Sequence, residues 1–327
     1  MDKRLSRRRV LELAALLAPW NATAQQTART GKARIGVLWL GEVHAPDSRK
    51  SFFDNSLRLH EGVAGRDVVI ESRFARAVEQ LPREVFALLS MKVDVIVAIG
   101  SPVAFAVSSL TNSIPVVFVV YGDPVELGLV DSLSHPGGNL TGIYLPTAEH
   151  AGKRLELLLN VAPQSSRIGV LSYYSQVHLE SRRTMAAAQR LGVQLVNVDL
   201  NSLIDLESAF HTFEKSGATA LSILSDWQSG ANLGPLADLS LSHKMPSISG
   251  YAHFARLGGL MAYGADPFEG LSRAAYLVSK VLSGAQPADL PVEQSTRYVL
   301  SLNKRTAKEL GVSFPKSILQ YADEVFS

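Results

Sequence analysis

The sequence predicts an α/β fold of two Rossmann-like lobes, each a parallel sheet with helices on both faces, joined by three crossovers. Three observations carry this. From Arg34 onward, short runs rich in Val and Ile alternate with amphipathic stretches, the pattern of βαβ units. The series occurs twice in the same order, before and after Asn139-Leu140-Thr141-Gly142-Ile143-Tyr144. The chain has 327 residues, 46% of them hydrophobic, too many for one ordinary compact unit and enough for two cores.

In the first series, Ile35 to Leu40, Val68 to Glu71, Val93 to Ile99 and Val116 to Val120 read as strands. They lack strict alternation, as expected of strands covered on both faces. Arg49 to His60, Leu81 to Met91 and Pro102 to Leu110 read as helices between them. The last is the best marked, because Ser101 is a good cap and proline suits the first helical position. In the second series, Ala148 to Val161, Leu179 to Leu191, Leu206 to Lys215 and Leu233 to His243 read as helices. Its strands are Arg167 to Ser172, Gln194 to Val198, Ala220 to Leu224 and Pro246 to Ser249. A long helix, Phe268 to Ser283, then returns to the first lobe, and a strand, Arg297 to Leu302, and a helix, Lys304 to Leu310, finish the chain.

Glycine-dense stretches at 136–139 and 258–264 flank the second series and read as hinge crossings, because glycine absorbs large dihedral changes. Residues 284–291 form a third punctuated connection. The resulting division is 33–143 with 266–293 for lobe 1 and 144–265 for lobe 2, with the side taken by 294–327 left open.

Residues 1–24 carry a basic head, a short apolar run from Val10 to Trp20 and a small-x-small end at Ala22-Thr23-Ala24, the pattern of a cleavable export signal. The apolar run is far shorter than the roughly 20 residues needed to span a bilayer. Ser6-Arg7-Arg8-Arg9-Val10-Leu11 has the look of a twin-arginine signal; a Sec signal with a crowded basic region is the alternative. Residues 25–32 read as a flexible lead-in. With cleavage near Ala24, 27 basic and 28 acidic residues remain, a balance that draws in neither nucleic acid nor an anionic membrane. A soluble periplasmic product is expected. The absence of cysteine removes thiol nucleophiles, disulfides and Cys-ligated metal. No Gly-x-Gly-x-x-Gly, phosphate loop or Gly-x-Ser-x-Gly elbow appears, and the eight histidines include no pair spaced for one helical turn. No catalytic residue, cofactor or metal is expected.

Several blocks, in order, resemble the ABC-transporter substrate-binding family that includes TrpX-like receptors. They are Ile114 to Val125, Gly128-Leu129-Val130, Pro136 to Gly142, Ala151 to Leu158, Gly258 to Gly264 and Gly284 to Gln294. The resemblance covers essentially all of residues 32–327. It implies a type I periplasmic binding fold whose lobes close on a small molecule and present it to a membrane permease. The chain departs from the family's pattern at 55–63 and 172–175, near the expected cleft, so ligand identity does not carry over.

In open parallel sheets the crevice lies beyond the carboxyl ends of the strands. That rule selects Trp39, Gly100, Ser101, Pro102, Tyr121 and Asp123 in the first lobe. In the second it selects Tyr173, Tyr174, Asp226, Trp227 and the segment 250–253 with Tyr251; Tyr263 and Asp266 follow the second crossing. Aromatic side chains suit an apolar or aromatic ligand, and the carboxylates suit a cationic or hydroxyl end. Gly100-Ser101-Pro102 at a helix start offers N–H groups and positive partial charge to a ligand carboxylate, or Ser101 only caps its own helix. Asp123 either binds a ligand amine or fixes its turn, Trp39 either faces ligand or is plain core, only one of the adjacent Tyr173 and Tyr174 faces the cleft if the segment is extended, and Tyr263 either faces ligand or packs at a hinge. The expected function is a monomeric periplasmic solute-binding component of an ABC importer, with an amino acid or aromatic carboxylate favoured. A ligand sensor for a membrane partner and an exported enzyme using the same cleft are the alternatives.

Overall fold

The structure, a computed structural model, describes residues 32–41, 48–60, 63, 68–173, 178–200, 206–226, 229–230 and 232–327, without the side chains of Ser48, Tyr173 and His178. The export signal and the lead-in through residue 31 lie outside the described residues, as do Tyr174 and Trp227.

Strands β1 (Ala33–Leu40), β2 (Val68–Ala75), β3 (Val95–Ile99), β4 (Val116–Tyr121), β5 (Leu140–Leu145) and β11 (Glu293–Gln294) form a six-stranded sheet in the order β11-β5-β4-β3-β1-β2. Every pairing in it is parallel. Along β1, Ile35, Val37 and Trp39 face one core cluster and Leu38 the other, the period-two signature of a strand buried on both sides. Helices α1 (Ser48–Arg58) and α8 (Pro267–Leu282) cover the first face with Phe53, Leu57, Leu271 and Val278. Helices α2 (Leu81–Ser90) and α3 (Ser101–Leu110) cover the second with Val85, Leu88, Val103 and Val107.

The second sheet has seven strands, β6 (Arg167–Tyr173), β7 (Gln194–Leu200), β8 (Ala220–Ile223), β9 (Ser247–Ser249), β10 (Met261–Ala265), β12 (Tyr298–Asn303) and β13 (Glu324–Phe326), in the order β13-β12-β10-β9-β8-β6-β7. Helices α4 (Ala151–Val161), α5 (His178–Leu191) and α9 (Lys304–Leu310) pack on one face, α6 (Leu206–Lys215) and α7 (Leu233–Ser242) on the other. The terminal residues 298–326 therefore join this sheet, with a short helix α10 (Lys316–Tyr321) between β12 and β13. One expectation fails: β12 runs antiparallel to β10. It is reached directly from the end of β11 in the first sheet, so it enters the second from the crevice end, against the direction of the strands beside it.

The chain passes between sheets at 146–150 (β5 to α4), at Asp266 (β10 to α8) and at 295–297 (β11 to β12). The stretch 136–139 stands one element upstream of its crossing, before β5, and 258–264 runs into β10 itself; within both strands glycine serves packing. Gly264 lies inside β10, where an added Cβ would sit 1.7 Å from the Gly250 carbonyl oxygen, so glycine there lets the 250 turn close on the strand. Gly142, inside β5, has the same role against Phe118. Both strands were obscured in the sequence by these glycines.

The crossings are instead stapled by side chains. From the first turn of α8, the Glu269 carboxylate accepts hydrogen bonds from the Ser295 hydroxyl (2.5 Å), the Arg297 N–H (2.9 Å) and the Thr296 N–H (3.1 Å). The imidazole of His150, in the first crossing, lies 3.9 Å from the Tyr298 ring and 5.4 Å from that of Tyr263. Buried Arg154 on α4 donates to the Thr147 carbonyl (2.8 Å) and the Tyr263 carbonyl (3.4 Å) and pairs with buried Glu180. Among the described residues, no helix is long and apolar enough to cross a membrane.

Candidate ligand-binding site

Two adjoining cavities lie where the strand ends of the two sheets meet. The inner one, about 130 Å³, is walled from the first sheet by Trp39, Ile99, Val119, Tyr121 and Leu145, with Arg49 of α1 and the start of α3. The second sheet contributes Ser225, Asp226, Gly230, Tyr251 and His253, and α8 adds Pro267 and Leu271. The outer cavity, about 720 Å³, shares Tyr121, Leu127 and Ser225 with the inner one, and charged groups surround it: Asp123, Glu126, Glu149, Arg182 and Arg183.

The inner walls are aromatic and preset. Trp39, the penultimate residue of β1, is almost fully buried, stacked on Phe74 at 6.2 Å, with the Arg49 guanidinium 5.9 Å from the centroid of its ring. Its indole N–H is buried with no hydrogen-bond partner among the described residues, and so is Nδ1 of His253. A buried polar atom without a partner is costly, and here two of them line one cavity. Tyr121, at the end of β4, meets Tyr251 edge-on at 4.7 Å, and the Tyr251 hydroxyl donates to the Asp226 carbonyl at 2.6 Å.

Electrostatics keep these groups neutral at neutral pH. Burial pushes the Tyr121 hydroxyl up to about 12, and burial and then the Asp226 carboxylate push Tyr251 well above its ordinary value. Burial, then the positive charges of Arg49 and Arg256, hold His253 down at about 4.

The start of α3 differs from the sequence expectation. Gly100, at φ 105°, is the cap residue and Ser101 the first helical one. The Gly100 N–H donates to the Val119 carbonyl (2.8 Å), and the Ser101 hydroxyl donates to the Tyr121 carbonyl (3.2 Å). Pro102 has no N–H, so the groups of this first turn left outside the intrahelical ladder are the Ser101 and Val103 amides.

Of the residues selected from the sequence, Trp39, Gly100, Ser101, Pro102, Tyr121, Asp226 and Tyr251 come together on the inner cavity. Both carboxylate oxygens of Asp226 also accept from Ser229, at 2.8 Å and 2.7 Å, which fixes that turn. Asp123 lines the outer cavity, where it accepts from the Val125 N–H at 2.8 Å. Tyr263 and Asp266 line neither cavity. Tyr263 packs in the aromatic group at the crossings, and Asp266 caps α8 through the Phe268 N–H (2.9 Å) while its other oxygen faces Arg297 at 3.4 Å. Tyr173 ends β6 with its side chain outside the described residues, as are Tyr174 and Trp227 altogether.

Arg49 and Leu271 escaped the strand-end rule because they reach the cavity from helices; His253 stood within the selected segment 250–253 but was passed over for Tyr251.

Comparison with known proteins agrees with this architecture. The profile of the ABC transporter substrate binding protein family matches residues 76–326. A tyrosine-binding protein of Clostridioides difficile is 26% identical over 294 residues, 88% of this chain and 83% of that one. Among solved structures, an ABC domain from Streptococcus pneumoniae in complex with L-Trp superposes with a TM-score of 0.79 at 26% identity, covering 90% of this chain and all of that one. A conserved domain protein from Vibrio cholerae gives 0.79 at 23% identity over the same shares. With most of its length matched and both sheets closing on a shared cavity, the chain belongs to the ABC transporter substrate-binding protein family.

Proposed function

We propose that this chain captures an aromatic amino acid or a related aromatic carboxylate and delivers it, from the periplasm, to the permease of an ABC importer. The observation that carries the reading is the inner cavity: ring-sized, aromatic-walled and shared by both lobes. Its volume of about 130 Å³ compares with the roughly 150 Å³ apolar cavity that admits benzene. An aromatic ring enters between Trp39 and the Tyr121–Tyr251 pair, which gains both burial and edge or face contacts. The ligand carboxylate rests at the start of α3 on the Ser101 and Val103 amides, with Arg49 on the same wall. A donor on the ligand meets His253 Nδ1, and an acceptor meets the Trp39 indole N–H.

Because the wall spans both lobes, the ligand stabilises the closed arrangement over an open one by its differential contacts. The hydroxyls of Tyr121 and Tyr251 are pushed up and His253 is held at about 4, so none of the three titrates near neutral pH, which supports holding a solute over acid–base chemistry on it. Support for the ligand class also comes from the L-Trp and tyrosine named for the two relatives at 26% identity. The export pattern read from residues 1–24 supports a capture step outside the inner membrane.

The test is a thermal-shift panel of aromatic amino acids, benzoate-type acids, branched amino acids and sugars. The reading expects the melting temperature to rise with an aromatic acid and not with a sugar. A panel in which only sugars or no aromatic acid act overturns it.

A further inference from the structure

Away from both cavities, α6 and α7 bring together a set of metal-type donors. His211 and Glu214 lie one turn apart on α6, and His243 follows the last residue of α7. His243 Nδ1 stands 2.7 Å from one oxygen of Glu214, and His211 Nδ1 stands 3.4 Å from the other. One ligand atom from each of the three residues falls within 4.8 Å of the others. Two imidazole nitrogens and a carboxylate oxygen converging on one point form the donor set of an open zinc site, with three protein ligands and a fourth position for solvent. The same set accepts copper or nickel, which imidazole also suits.

Two further features point to an ion. The other nitrogen of His243, Nε2, faces the Glu207 carboxylate at 3.3 Å. Metal-bound histidines characteristically give their second nitrogen to a carboxylate, which fixes the tautomer and the ring. The ring is also held by packing, 5.1 Å from Phe210, with the His243 side chain only 10% exposed. His211, by contrast, is 58% exposed, so one ligand is preset and another is open to an arriving ion. Glu214 is the penultimate residue of α6 and His243 caps α7, so two helix carboxyl ends direct their negative partial charge toward the same point.

We infer that His211, Glu214 and His243 bind one divalent transition-metal ion, with Glu207 supporting His243 and water completing the coordination. Such an ion clips the end of α6 to the end of α7 in the second lobe. The sequence hides the site because His211 and Glu214 lie on one helix, whereas His243 follows another helix and meets them only in the fold.

The test uses protein purified without a polyhistidine tag and treated with chelator, titrated with zinc chloride by calorimetry and with cobalt(II) by visible absorption. One saturable zinc per chain and a tetrahedral-type cobalt band are expected. Glu207→Gln should weaken zinc binding about 10- to 100-fold, and His211→Ala or Glu214→Gln by more. His211 is exposed, so His211→Ala keeps its melting curve in the absence of metal, and its readout is binding alone. No saturable one-to-one binding at submillimolar zinc, or binding undiminished in His211→Ala, overturns the assignment.

Discussion

The Tyr121 ring, from the end of a first-sheet strand, meets the Tyr251 ring, from the second lobe, edge-on at 4.7 Å. This contact spans the seam at the inner cavity, so the two rings report on lobe closure as well as on ligand. Tyr251→Phe keeps the ring and removes the hydrogen bond to the Asp226 carbonyl, at a cost of about 1 kcal/mol in stability with ligand affinity largely retained. Tyr251→Ala removes the wall itself, and its aromatic-ligand affinity should fall by at least about tenfold, the equivalent of a lost aromatic contact. Urea melts and titration of the two variants side by side check both outcomes.

Glu269 holds the third crossing, and its charge matters. Burial alone raises its carboxyl pKa, but the hydrogen bonds from Ser295, Arg297 and Thr296 outweigh this and hold it below the usual carboxylate range. A folded value below the unfolded one means that the stabilisation is complete above the unfolded pKa of about 4.3 and is lost as pH falls through the folded value. Glu269→Gln should therefore cost about 1–2 kcal/mol at neutral pH and flatten the acid limb of the stability curve. Chemical unfolding from neutral to strongly acidic pH tests this.

His253 acts in a different pH window. Its pKa, about 4 in the folded chain against 6.5 for the free side chain, means the unfolded chain takes up the proton first as pH falls. Its contribution is complete above about pH 6.5 and is lost progressively toward pH 4, on the order of 3 kcal/mol over the window. His253→Asn should remove that slope and leave the limb assigned to Glu269. Unfolding midpoints of the two variants across pH 4 to 7 separate the windows.

Arg154 and Glu180 form a buried pair whose removal leaves one uncompensated charge. Burial pushes the Glu180 carboxyl up, while the guanidinium and two hydrogen bonds from Ser225 act against it. Arg154→Met should cost about 3–5 kcal/mol, and Arg154→Met with Glu180→Leu should recover most of it, because the apolar pair leaves no charge stranded. Calorimetric melts of the single and double variants decide.

The strand–helix alternation made most of both sheets legible, since Val and Ile runs such as 35–40 and 116–120 are strands in the structure. What failed were strands interrupted by glycine: β5 was passed over as the boundary between the two series and β10 read as part of a joint, because Gly142 and Gly264 serve close packing, a tertiary demand with no local signature. The crossings were obscured for the same reason, since Glu269 and His150 staple them through partners far along the chain. In the site, the strand-end rule reached Trp39, Tyr121 and Tyr251 because a strand delivers its next residues to the sheet edge. It could not reach Arg49 and Leu271, which helices supply, nor show that Asp266 is spent on capping α8.

In the proposed complex an aromatic acid is enclosed between Trp39 and the Tyr121–Tyr251 pair. Titration calorimetry of the most stabilising aromatic acid against the unaltered protein and Tyr251→Ala addresses it most directly. One site with a negative heat-capacity change from buried apolar surface, and a loss of affinity in Tyr251→Ala, are expected. Equal affinity in the two proteins, or binding without a heat-capacity change, would contradict it.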